Sequence, residues 1–213
     1  MTDRFPDYDV LNKRNTLSWD ARTRDVINAR LDLPERSDVL TPAQIATLRA
    51  LADRIVPQPQ GRQAVNVVAL ILEKLAGETS ADGYRHAGLP PARDAWKRGL
   101  DAIEAEAQER HRARFTDLPP ADADALLRAV QSGDVRADWT SLPPRLFWQW
   151  RMLPDLVSAY YAHPSAWSAM GFGGPASPRG YVRLAPGRRD PWEPAEAGDQ
   201  ALLSASFRNR RVG

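Results

Sequence analysis

Cysteine is absent from the 213-residue chain, and lysine, histidine and long apolar runs are scarce. Without cysteine the protein has no disulfide, no thiolate metal ligand and no cysteine nucleophile. No run of about 18 apolar residues offers a transmembrane helix. The charged N-terminus shows neither a secretory apolar region nor a twin-arginine pair. We therefore expect no membrane span and a cytoplasmic location, with a periplasmic location only if the chain is exported with a partner.

An excess of one charge is also missing. The net charge is +2 and the basic residues are mostly arginine, with lysine only at Lys13, Lys74 and Lys97. A nucleic-acid-binding domain usually has a larger or more clustered basic excess, whereas arginine is common in protein–protein interfaces. We expect no nucleic-acid partner. The hydrophobic fraction of 43% predicts a folded core rather than a disordered chain.

Apolar residues at helical spacing run through the middle of the sequence. Thr41, Pro42 and Gln44 form a capping box with proline at the first helical position, and Pro57 ends that helix. The same periodicity predicts further helices over about 65–76, 91–114 and 121–132. The segment 142–161 is the most apolar, and its Pro154 is expected to kink or divide a central helix. No alternating strand pattern appears, so the sequence predicts an all-α, irregular helical bundle with extended N- and C-terminal arms.

The composition divides the chain into four segments. Residues 1–40 form a polar N-terminal arm with a short helix over about 20–31, and residues 41–162 form the helical domain. Residues 163–194 are rich in glycine, proline and aromatic residues, which predicts an ordered, extended arm without regular structure. Residues 195–213 are expected to be a flexible tail.

No pattern in the sequence carries recognisable chemistry. His86, His111 and His163 lack the spacing of metal ligands. His163 is expected to stabilise the dipole at the end of a helix or to cap a carbonyl there. The glycines of 171–175 follow no strand and open no helix, which is unlike a phosphate-binding loop. The sequence therefore predicts no catalytic, cofactor-binding or metal site. A stand-alone enzyme using His163, Tyr160 and Tyr161 remains an alternative.

Three motifs carry a resemblance to a known family. They are the run from His163 to Trp167, the Gly-Phe-Gly-Gly-Pro of 171–175 and the Pro-Arg-Gly-Tyr of 178–181. Together with the opening helix that ends at Pro57, they resemble the gluconate 2-dehydrogenase subunit 3 family, also called the gamma chain, over about 40–194. The resemblance implies a non-catalytic small subunit that binds and stabilises a larger flavoprotein.

That flavoprotein would be an FAD-dependent oxidoreductase of the glucose–methanol–choline type, which oxidises a sugar, sugar acid or polyol. The FAD would lie in the partner and no cofactor in this chain, and a cytochrome subunit can accept the electrons. We expect the partner interface to include the aromatic and basic residues of the arm: Trp167, Phe172, Arg179, Tyr181 and Trp192. Two alternatives stay open. These residues can wrap the chain's own helices, and the protein can be a helical binding or regulatory protein with another partner.

Overall fold

The structure of the protein is a computed structural model, which describes residues 3–59, 61–77, 85–177, 179–180, 190, 192–198 and 203–212. Over these residues the regular structure is helical, and the only β pairing is an isolated bridge between Trp19 and Ser177. The predicted all-α class is confirmed. The chain divides into two compact units. We call them the terminal unit (Met1–Asp32, Gln58–Asn66 and Tyr160–Gly213) and the helical unit (Leu33–Pro57 and Val67–Ala159).

The helical unit contains the helices that the periodicity predicted. They are α2 (Pro42–Ile55), α3 (Val67–Ala76), α4 (Ala92–His111), α5 (Pro120–Ser132), α6 (Pro144–Phe147) and most of α7 (Leu153–Tyr161). The predicted capping box is present, because the Thr41 hydroxyl accepts from the Gln44 N–H and the Gln44 side chain accepts from the Thr41 N–H. Helix α2 packs against α3, α4 and α5, while α6 packs against α4 and α5.

The most apolar segment is one helical run with a wider turn inside it. Residues Trp148–Met152 between α6 and α7 are π-helical, and the Leu153 N–H bonds to the carbonyl of Trp148. Proline at position 154 has no N–H, and its ring crowds the carbonyl four residues earlier. The expected interruption at Pro154 is therefore a π-helical turn just before it, a known way to accommodate a local mismatch in a helix.

Charged groups buried in the helical unit are paired. Asp155 lies in α7 and accepts from the Trp96 indole N–H at 2.8 Å and from the Lys74 ammonium at 2.8 Å, with Arg151 at 3.5 Å. Glu106 in α4 is fully buried and accepts from the backbone N–H of Ala137 at 2.9 Å. These bonds compensate for the loss of water around each carboxylate.

The terminal unit is built from both ends of the chain. It contains a 3₁₀ helix (Val10–Asn15), α1 (Ala21–Leu31), α8 (Pro164–Met170) and α9 (Ala205–Asn209). The unit has its own apolar core, whose buried members are Tyr8, Val10, Trp19, Ile27, Trp167 and Val212.

Two short helices correct the expectation that regular structure is absent after His163. Helix α8 begins immediately after that histidine, and α9 lies near the C-terminus. The Asn209 side chain at the end of α9 is fully buried. It donates to the carbonyls of Pro6 at 2.8 Å and Ala195 at 3.0 Å, and it accepts from the Ala195 N–H at 2.7 Å. One polar side chain thus joins α9 to Pro6 in the N-terminal arm and to Ala195, the first residue after the C-terminal arm.

Candidate partner-binding surface

The glycine-rich turn after α8 is shaped by the packing of the N-terminal arm. Gly171 ends α8 in the left-handed conformation, with φ of 73°, and its N–H bonds to the Trp167 carbonyl. Phe5 lies so close that its ring atoms are 2.2 to 2.5 Å from the position a Cβ would take at residue 171. Only glycine offers both the backbone freedom and the space required here.

Gly174 has the same kind of environment. Its φ is 67°, and an added Cβ would lie 3.0 Å from Val10 and 3.3 Å from Trp167. Apolar side chains therefore pack against both glycines of the turn, and the turn follows a helix rather than opening one. This arrangement leaves no cradle for a phosphate group, which would need exposed backbone N–H groups at a helix start.

Two of the predicted interface residues stack beside this turn. Trp167 is 5% exposed, and its indole N–H donates to the Tyr161 carbonyl at 2.6 Å. Phe172 is 41% exposed and meets Trp167 edge-on, with ring centroids 5.9 Å apart. Trp167 is thus a core residue of the terminal unit, whereas Phe172 presents an aromatic ring to solvent.

The other predicted interface residues lie further along the arm. Arg179 makes a bidentate ion pair with Asp190, at 2.8 and 2.9 Å, which raises the pKa of the guanidinium. The Arg179 guanidinium also lies 4.7 Å from the ring centroid of Trp192, a cation–π distance. The Trp192 carbonyl accepts from the Tyr8 hydroxyl at 3.0 Å. Tyr181 lies outside the described residues.

A buried lysine links the N-terminal arm to the same turn. Lys13 is fully buried and donates to the Pro175 carbonyl at 3.1 Å, which also accepts from the Trp19 indole at 2.7 Å. Burial lowers the pKa of Lys13 to about 8, although Asp190 and Glu193 act in the opposite direction. The hydrogen-bond acceptors and carboxylates near the ammonium group therefore offset its loss of hydration only in part.

A solvent-accessible groove of about 410 Å³ lies between α1 and the segment 172–177. We call it the α1 groove. It is lined by Asp20, Arg22, Thr23, Val26, Ile27, Arg30, Trp167, Phe172, Pro175 and Ser177. The groove thus contains two of the predicted interface residues and a set of α1 residues that the sequence analysis did not select. The sequence did offer a way to find these α1 residues, because the four-residue spacing of Arg22, Val26 and Arg30 places them on one helix face.

His163 differs from its expected role. Its side chain is fully buried and Nδ1 accepts from the Ser165 N–H at 3.1 Å, so it caps the start of α8. Burial lowers the pKa of the imidazole, so it is unsuited to act as a cation at the end of α7. Tyr160 and Tyr161 stack edge-on at 5.1 Å. A catalytic base would need an accessible imidazole, and the lone pair on Nδ1 is already engaged.

Within the described ranges, no group of three His, Cys, Asp or Glu side chains is placed to hold a metal ion. No helix in this part of the chain is long and apolar enough to cross a membrane.

The described residues thus form an all-α protein with a partly apolar surface site, the α1 groove. The family model for gluconate 2-dehydrogenase subunit 3 matches residues 42–174, more than half of the chain, and the protein belongs to this family. The expected resemblance is confirmed, although the match ends at the glycine turn and does not reach residues 178–194. The sequence matched none of the curated proteins and none of the solved structures with which it was compared.

Proposed function

We propose that the protein is the non-catalytic, gamma-like subunit of a flavin-dependent oxidoreductase of the glucose–methanol–choline type. It binds and stabilises the large subunit, which acts on a sugar, sugar acid or polyol. The observation that carries this proposal is the family match over residues 42–174, since the family is a subunit of a dehydrogenase complex. The FAD belongs to the partner, and a cytochrome subunit is the proposed electron acceptor.

The packing around the glycine turn argues against a phosphate-binding role for this turn. Phe5 and Val10 fill the space beside Gly171 and Gly174, so the most phosphate-loop-like motif of the chain serves internal packing. Exposed apolar side chains support a binding role, because clusters of them on a soluble surface mark interaction sites. Phe172 is 41% exposed and Val26 is 49% exposed, and both line the α1 groove.

We place the interface on the terminal unit, at or beside Trp167, Phe172, Arg179, Tyr181 and Trp192. Phe172 is the residue best suited to test this, because its ring is accessible and its removal opens no fully buried cavity. Trp150 in the helical unit is a matched control, since it is an aromatic residue with 51% exposure outside the proposed interface.

The test is to co-express the tagged chain with a glucose–methanol–choline-type oxidoreductase from the same genome and to measure the recovered complex. The wild type is expected to co-purify with a yellow, FAD-containing large subunit. Phe172→Ser should reduce recovery about tenfold, because truncating an aromatic anchor in an interface commonly costs more than 1 kcal/mol. Trp150→Ser should leave recovery near wild type. An equal loss in both variants contradicts the placement, and no complex with the wild type contradicts the function.

A further inference from the structure

Helix α1 presents a basic–apolar–basic face to the α1 groove. Arg22, Val26 and Arg30 follow one another at four-residue spacing, so their side chains share a face. The two arginines are eight positions apart in the helix, a span of about 12 Å along the axis. Val26 lies between them and is 49% exposed, while its neighbour Ile27 is buried in the core below. The face therefore offers an apolar centre with a cation at each end.

The opposite wall completes the apolar centre. Phe172, Pro175 and the edge of Trp167 line the groove across from Val26. Trp167 is fixed by its bond to the Tyr161 carbonyl and by its contact with Phe172. The wall is thus held in place before any ligand arrives, which lowers the ordering cost of binding.

The described lining of the groove has a net positive charge. Among these described residues Asp20 is the only acidic one, and its carboxylate already caps α1 by accepting from the Thr23 N–H at 2.7 Å. Arg30 donates to the Ala162 carbonyl at 3.1 Å, which orients the guanidinium without neutralising it. Within the described residues, Arg22 has no carboxylate in salt-bridge range. The two arginines are therefore available to anionic groups.

We propose that the α1 groove binds an extended segment of its partner, the large subunit. In this segment one apolar side chain is flanked by two carboxylates. The proposal rests on the proposed function for the identity of the partner. Side chains at positions i, i+2 and i+4 of an extended segment face the same side, and the outer two are about 13 Å apart. This separation matches the span between Arg22 and Arg30.

The span between the arginines favours an extended segment over a helix. About five extended residues reach both arginines, whereas a helix needs about nine residues to cover the same distance of about 12 Å. Ordering fewer residues lowers the entropic cost of binding. The extended segment can insert one apolar side chain beside Val26 and Phe172, which both line the groove, and place a carboxylate at each arginine.

The test uses two fluorescein-labelled peptides and the full-length chain. The acidic probe is Gly-Glu-Ser-Phe-Ser-Glu-Gly, and the basic probe has lysine in place of both glutamates. Fluorescence anisotropy should show binding of the acidic probe, about tenfold or more tighter than the basic one, and this preference should weaken as salt is added. Binding of neither probe at about 1 mM, or equal binding of both, overturns the proposal.

Charge reversal gives the sharper comparison. Arg22→Glu combined with Arg30→Glu should invert the preference, so that the basic probe binds more tightly. Arg36→Glu combined with Arg128→Glu changes the net charge equally at exposed arginines that do not line the groove, and it should keep the wild-type preference. A control variant that also inverts the preference would show that overall charge, not the groove, selects the probe.

Two further measurements remove ambiguity. Val26→Asp places a carboxylate at the centre of the groove and should abolish acidic-probe binding while keeping both arginines. Decanoate is the second probe: if it binds and neither peptide does, the groove is a small-carboxylate site and the proposal is overturned. Because no oxidoreductase is present in these assays, their failure leaves the co-purification test of the proposed function untouched.

Discussion

Replacing Gly171 with alanine should destabilise the protein strongly. The residue has a φ of 73°, a left-handed conformation that costs an L-residue roughly 1–2 kcal/mol. The new Cβ would also lie 2.2 Å from the nearest Phe5 ring atom, and overpacking of this kind typically costs about 1–3 kcal/mol. The sum of the two ranges is a loss of about 2–5 kcal/mol.

The matched control lies two residues away in the same turn. Gly173 has no positive φ, and an added Cβ would meet no heavy atom within 4 Å, so Gly173→Ala should change the stability by less than about 1 kcal/mol. Urea denaturation measures both variants. In a Phe5→Ala background, Gly171→Ala should lose only the conformational part, about 1–2 kcal/mol. Equal stability of the Gly171 and Gly173 variants would refute the packing of the N-terminal arm against this turn.

Three other substitutions test buried groups. The pKa of Lys13 is about 8 in the folded state and 10.5 ordinarily, so between these pH values the unfolded chain binds one more proton than the folded protein. The free energy of unfolding of the wild type should therefore rise by up to about 3 kcal/mol from pH 8 upwards. Lys13→Met should flatten that rise in urea titrations. Burial raises the pKa of Glu106, but bonds from two backbone N–H groups and an arginine outweigh burial and lower it. Its contribution should therefore be lost as the pH falls through the acidic range, and Glu106→Gln should cost about 1–3 kcal/mol at pH 7 and show a weaker acid dependence by circular dichroism. Gly99→Ala should lower the melting temperature despite alanine's better helix propensity, because its Cβ would lie 2.2 Å from the Phe147 ring. Adding Phe147→Leu to the Gly99→Ala variant should restore part of the lost melting temperature.

Helices with a long apolar stripe were predictable from the sequence. The capping box at Thr41 fixed the start of α2, and the stripe that includes Leu48 and Leu51 is buried as the periodicity implied. Such segments are predictable because burial of one face and the local capping chemistry favour the same structure.

The terminal unit was far less predictable, because its contacts join residues far apart in the chain. Helix α9 has only five residues, too few to show a periodic stripe, and it is held by the side chain of Asn209. Lys13 is a charged residue in a polar segment, and nothing local indicates that it is buried against Pro175. Short elements stabilised by long-range contacts have no period from which they can be predicted.

The candidate site was predictable in part. The aromatic density of the arm directed attention to Trp167 and Phe172, and both line the α1 groove. Their different exposure was not predictable, because Trp167 belongs to a core that includes the distant residues Val10 and Val212, whereas Phe172 is not among the residues of that core. The α1 face was missed because α1 buries only Ile27 and so lacks a strong apolar stripe.

The family match and the terminal unit do not have the same boundaries. The match ends at residue 174, yet the unit also uses residues from the N-terminal arm and from the chain after the glycine turn. The contacts of Phe5 and Val10 with the turn connect the matched and unmatched parts physically. The left-handed glycines of the matched turn thus have a structural role in this chain, which is to receive the N-terminal arm.

The most direct test of the central claim is the flavin content of the large subunit, measured with and without this chain. The oxidoreductase is expressed alone, with the wild-type chain and with the Phe172→Ser variant, and bound FAD per polypeptide and dye-linked dehydrogenase activity are determined for each preparation. We expect high flavin occupancy and activity with the wild type, and a clear reduction of both when the chain is absent or carries the substitution. Equal flavin occupancy, activity and recovery of the large subunit in all three preparations would contradict it.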